Sequence, residues 1–81
     1  MIKQFLSELG AYRRQDYYIL DQLDPEYYLL FDCNEGGIPN TCDIFVCKPG
    51  ISPSEYNKRI CLISNANEQK VKDFLSVIRN S

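Results

Sequence analysis

Apolar positions at the start of the chain recur with a helical period. Ile2, Phe5, Leu6, Leu9 and Tyr12 stand at i, i+3, i+4, i+7 and i+10, along one face of a helix. The spacing predicts a helix over residues 2–12, with Gly10 as a fraying point or a cap. The period then shortens. Residues 16–23 (DYYILDQL) and 27–33 (YYLLFDC) are aromatic and aliphatic runs of strand length. Asp24-Pro25-Glu26 between them has type I turn composition, so the two runs read as a hairpin. Its register stays open, because a type I turn matches strand twist less well than the primed turns.

Turn chemistry fills residues 35–41, and CDIFVCK, residues 42–48, reads as a third strand stopped by Lys48-Pro49-Gly50. Ser52-Pro53-Ser54-Glu55 is a capping-box pattern with proline at the first helical position. It predicts a short helical turn at about 53–57. KRICLIS, residues 58–64, gives a fourth strand. Val71, Phe74, Leu75 and Ile78 then mark the face of a closing helix over 69–80. Asn65 or Asn67 is placed to cap it and Arg79 suits its C-terminal dipole. The order is α-β-β-β-β-α: an α+β fold with a four-stranded, mostly antiparallel sheet packed against N- and C-terminal helices.

Strand parity divides the sheet into two unlike faces. Pairing Cys33 with Cys42 puts Phe31 opposite Ile44 and Leu29 opposite Val46, beside Tyr27, and makes one face wholly apolar. The helices are expected to cover it. The other face then carries Tyr28, Leu30, Asp32, Asp43, Phe45 and Cys47, with Tyr17, Ile19 and Leu23 as neighbours. Aromatics mixed with acids are what interaction surfaces use as anchors. The plainer alternative is that the sheet curls, or that a helix covers each side, and these residues are core.

The totals narrow the function. Eighty-one residues make one domain, 1–81, with a stability of roughly 5 kcal/mol. Apolar content of 44% with 25% charged residues is globular in kind. No apolar run approaches the roughly 20 residues of a membrane span, and the start lacks the apolar core of a signal peptide. A cytoplasmic location follows as the expectation, in the protein's own cell or a host's. The net charge is −2, with residues 1–47 at −5 and residues 48–81 at +3. The acidic end disfavours a duplex nucleic-acid binder, which carries a basic stripe. Tyr12-Arg13-Arg14 and Tyr17-Tyr18 could stack a single strand, but Glu8, Asp16 and Asp21 weaken that funnel.

The four cysteines follow C-x8-C-x4-C-x13-C. That spacing lacks paired C-x2-C knuckles, there is no histidine, and Cys42 and Cys47 point to opposite faces of one strand. No metal and no cofactor is expected. A Cys33–Cys42 disulfide is geometrically open, yet a reducing compartment argues for buried thiols packing as small hydrophobes. Catalysis is poorly served: without histidine there is no common general base and no Cys-His or Ser-His pair. Lys48 beside Cys47 and Arg59 near Cys61 are weak thiol activators. Glu35-Gly36-Gly37 lacks the helix and lysine of a phosphate loop. The chain therefore reads as a complete, stand-alone interaction protein rather than an enzyme. It would act as an inhibitor or regulator occupying a surface of a larger enzyme or complex. Phage antagonists of host defence and bacterial immunity proteins share this general profile, an analogy of class only. The expected contact residues are Tyr17, Tyr28, Leu30 and Phe45 as anchors, with Asp32 and Asp43 meeting basic groups of the partner. The alternatives are a homo-oligomer, joined through the same face or an open sheet edge, and a weak single-stranded nucleic-acid binder.

Overall fold

A computed structural model describes residues 1–33 and 37–80. Helix α1 spans Ile2–Glu8, strands β1 to β5 span Tyr12–Arg14, Tyr17–Asp24, Tyr27–Asp32, Cys42–Cys47 and Ile60–Ala66, and helix α2 spans Glu68–Arg79. The strands lie side by side in chain order, β1-β2-β3-β4-β5, and every neighbouring pair is antiparallel. The α+β class and the two terminal helices agree with the sequence; the sheet has five strands where four were expected.

The extra strand exists because α1 stops early. Gly10 adopts φ +102°, and its N–H reaches the Ser7 carbonyl at 3.1 Å while that of Ala11 reaches Leu6 at 3.1 Å. These are the two bonds of a Schellman cap, which needs a left-handed residue where glycine carries no steric penalty. Tyr12 is thereby released from the helix and pairs with Ile19 instead.

The β2–β3 hairpin turns through Pro25 and Glu26, with the Glu26 N–H donating to Asp24 Oδ1 at 2.8 Å. An irregularity between Leu20 and Asp24 absorbs the mismatch between this turn and the strand twist. It also flips parity. Leu23, expected on the second face, packs with the helix-side core. The β3–β4 register is the one the apolar pattern demands, with Phe31 opposite Ile44 and Leu29 opposite Val46.

Both helices lie on that apolar face. Ile2 and Leu6 of α1 and Val71 and Leu75 of α2 close over Leu20, Leu29, Phe31, Ile44 and Ala66. Asn67 caps α2, its Oδ1 accepting from the Lys70 N–H at 2.9 Å. The loop expected over 35–41 falls partly outside the described residues; at its far end Thr41 Oγ1 donates to the Ile38 carbonyl at 2.7 Å.

The remaining connection, residues 48–59, contains the capping-box residues in an altered role. The Ser52 N–H donates to Glu55 Oε1 at 3.2 Å, and the Ser54 N–H donates to Ser52 Oγ at 3.4 Å. Glu55 has φ −84° and ψ +74°, which breaks the helical path. The expected turn over 53–57 becomes a 3₁₀ turn over Tyr56–Lys58, and β5 starts two residues later than the sequence indicates.

Candidate functional site

Alternation along β2, β3 and β4 gathers a second cluster on the side away from the helices. Tyr17, Ile19, Leu30 and Cys47 are buried there, with Tyr28 and Phe45 half-buried against them. Asp32 and Asp43 face each other across β3 and β4 at the end of the same register. All six residues singled out from the sequence are thus on or beside one face. Leu30 is fully enclosed and Tyr17 is only 7% exposed, so neither offers much surface as the chain stands.

What encloses them is the chain itself. Residues 48–59 cross this face as a strap, entered through a turn at Lys48-Pro49-Gly50. The Ile51 N–H bonds the Lys48 carbonyl at 3.2 Å, and Gly50 has φ +89°, the conformation a type II turn requires at its third residue. Three contacts fasten the strap. The Tyr28 hydroxyl donates to the Ile51 carbonyl at 2.6 Å. The Tyr17 hydroxyl donates to that of Tyr56 at 2.9 Å. Arg59 then inserts its guanidinium among three rings, its central carbon 4.1 Å from the Phe45 centroid, 4.6 Å from Tyr56 and 5.2 Å from Tyr17.

Arg59 is the residue the sequence reading valued only as a neighbour of Cys61. Its side chain is 9% exposed, with Nη2 3.6 Å from Asp32 Oδ2. Nη1 is buried with no hydrogen-bond partner. The β5 register places it: Cys61 pairs with Phe45, so Arg59, two residues earlier, is directed to the Phe45 side. Tyr56 was missed because it belongs to no periodic element; it is 63% exposed and forms the outer wall of the arginine's surroundings.

The electrostatics of the site follow from burial. Desolvation raises the Asp32 carboxyl above its ordinary value, Arg59 opposes this, and the carboxylates of Asp43 and Asp16 add to it. Burial likewise raises Tyr28, with Cys47 beside it contributing. It also raises the Cys47 thiol, against the pull of Tyr28 and Arg59. Asp43 Oδ1 accepts the Asn65 N–H at 2.8 Å, which fixes β5 where its backbone turns left-handed at Asn65, φ +55°.

The cysteines stand as free thiols, Cys42 and Cys47 buried, Cys33 half-buried and Cys61 exposed. Burial pushes Cys42 up to about 12, so it packs as an apolar side chain. Among the described residues no group of three or more Cys, Asp or Glu side chains is arranged to hold a metal, and no helix is long and apolar enough to cross a membrane. At the far edge, the Tyr12 hydroxyl donates to Asp21 Oδ2 at 2.8 Å and Arg13 Nε to the Gln15 carbonyl at 3.3 Å. No protein-family model, curated protein or solved structure matches this chain.

Proposed function

We propose that the chain is a small protein-binding module that inhibits or regulates a larger enzyme or complex. The observation that carries this reading is the strapped face. Three aromatic rings, a largely enclosed arginine and the carboxylate of Asp32 converge there, with Asp43 facing Asp32 across the strands, and Tyr56 and Arg59 are brought to them by one irregular segment on which Tyr56 is exposed. Aromatic residues and arginine clustered with partly desolvated charges are the usual energetic centres of protein interfaces. Phe45 lies beneath the Arg59 guanidinium, so replacing it disturbs packing as well as binding; Tyr56 is the informative handle.

Replacing Tyr56 with the photo-crosslinking residue p-benzoylphenylalanine and irradiating in native-cell lysate is expected to yield one dominant adduct. The control position is Val77 on α2, 70% exposed and remote in sequence from the strap. Adducts from position 56 no stronger than those from position 77 would overturn the proposal.

Self-assembly is a second reading, favoured by the free outer edge of β5. Ile60 is 65% exposed there, and residues 60–67 carry no charge to oppose strand addition. Two register shifts between β4 and β5 kink that edge and weigh against it. Sedimentation over a wide concentration range decides: a constant monomer mass excludes this reading.

A further inference from the structure

Tyr17, Phe45 and Tyr56 surround Arg59 as three walls, and Asp32 supplies the charge at the fourth side. That composition is a receptor for a cation: ring faces attract positive charge, and a guanidinium additionally stacks its plane on them. The present occupant fits incompletely. Nη1 is enclosed without an acceptor. The 3.6 Å approach to Asp32 exceeds the roughly 2.7–2.9 Å of a charge-assisted hydrogen bond. A guanidinium has five N–H donors to satisfy, and a purely structural strut at this depth would be expected to meet more of them. Asp32 is equally underserved, because desolvation outweighs the help that Arg59 gives it.

We propose that the cage of Tyr17, Phe45, Tyr56 and Asp32 is a binding site for an arginine side chain of a partner protein, which Arg59 occupies in the free chain and yields on complex formation. The identity of the occupant as part of a partner rests on the protein-binding reading above; the affinity of the cage for a guanidinium rests on the geometry alone. Arginine is favoured over lysine because three ring faces suit a planar, weakly hydrated ion better than a compact ammonium. Asp43, directly opposite Asp32 in the register, adds a second negative charge for an incoming cation. Tyr56 is mostly exposed, and its side chain is held by the hydroxyl contact to Tyr17 and by its stacking on Arg59, so the exchange needs movement of the strap and none of the sheet. Arg59 competes from within the same chain, at high effective concentration, so a free arginine does not displace it.

Arg59→Ala empties the cage. Titrating the labelled variant with N-acetyl-arginine N-methylamide is expected to give saturable NMR shifts at the Tyr17, Phe45 and Tyr56 rings and at the Asp32 carboxyl carbon. The wild-type response should be at least about tenfold weaker, because its cage holds a tethered competitor. The corresponding norleucine derivative should give none. A folded variant without saturable shifts, or one that responds equally to norleucine, overturns the proposal while leaving cross-linking from position 56 as it was. Should Arg59→Ala unfold, Arg59→Gln is the second variant. Refolding of either by the arginine derivative supports the cage. If both unfold and neither responds, the guanidinium is integral to the fold and the proposal fails.

Discussion

Tyr28→Phe removes one oxygen atom and tests whether the strap is a separate unit of structure. The deleted hydroxyl donates to the Ile51 carbonyl at 2.6 Å, while the ring, half-buried against Leu30 and Cys47, remains. An intramolecular hydrogen bond contributes a net ~1 kcal/mol. Ile51 is only partly buried, so water can reach its freed carbonyl and keep the loss near that figure. If the strap opens independently of the sheet, the loss appears first in local opening. The amides of Glu55 and Lys58, bonded to the Ser52 and Glu55 carbonyls, should then exchange roughly five- to tenfold faster. Those of Ile44 and Phe45 in the sheet should start from much higher protection and quicken by a similar factor, because the native state loses the bond against the globally unfolded state as well. The global midpoint should fall by about 4–8 °C per kcal/mol lost in a domain of this size. Amide exchange followed by NMR separates the two responses. Strap amides as well protected as those of the sheet, before and after the substitution, would refute the reasoning, because strap and sheet would then open only together.

Three further outcomes follow from the fold and its charges. Gly10→Ala should cost about 1–2 kcal/mol in urea unfolding, because an alanine at φ +102° is strained although its methyl group would meet open space; a neutral substitution would contradict the cap. Asn67→Ala should lower stability by about 1 kcal/mol through loss of the bond to the Lys70 N–H, read as a drop in the thermal midpoint that Asn67→Asp largely avoids. Asp32 should titrate above its ordinary value of 3.8 in carbon-detected NMR, and higher again in Arg59→Ala, which removes the one opposing charge. A folded-state value raised in this way favours the protonated form. The contribution of Asp32 is therefore fully present below 3.8 and lost as the pH rises through the folded value; an Asp32 carboxyl titrating below 3.8 would refute the assignment.

The helix-side core was legible because three apolar pairs admit a single β3–β4 register, and a one-residue slip would turn Phe31 and Ile44 to the wrong side. Helix α2 was legible for a similar reason, with Val71 and Leu75 on one stripe and Asn67 before it. Other features escaped because they depend on contacts distant in sequence. Tyr12-Arg13-Arg14 is a three-residue edge strand with no apolar alternation, and it exists only because Gly10 closes the helix. Leu23 changed sides because the irregularity after Leu20 reset the parity. The surplus of aromatics on the second face was visible in the sequence, and so was its need for a cover or a partner. That the cover would be residues 48–59, with Arg59 turned back among the rings, depends on a β5 register that bulges twice. Periodicity cannot encode that.

The strand order also sets a schedule. Because the sheet is laid down in chain order, a ribosome working from the N-terminus finishes β4 before it has made any of the strap. Adding residues 48–59 takes about 0.6–2.4 seconds at about 5–20 residues per second. A hairpin forms in about 1–10 microseconds. Until residues 48–59 are in place, the rings of Tyr17, Tyr28 and Phe45 have no strap to meet, and the helix side waits longer still for α2. A folding order that follows the chain therefore completes β2 to β4 with the second face open, and Arg59 is the residue whose arrival closes it.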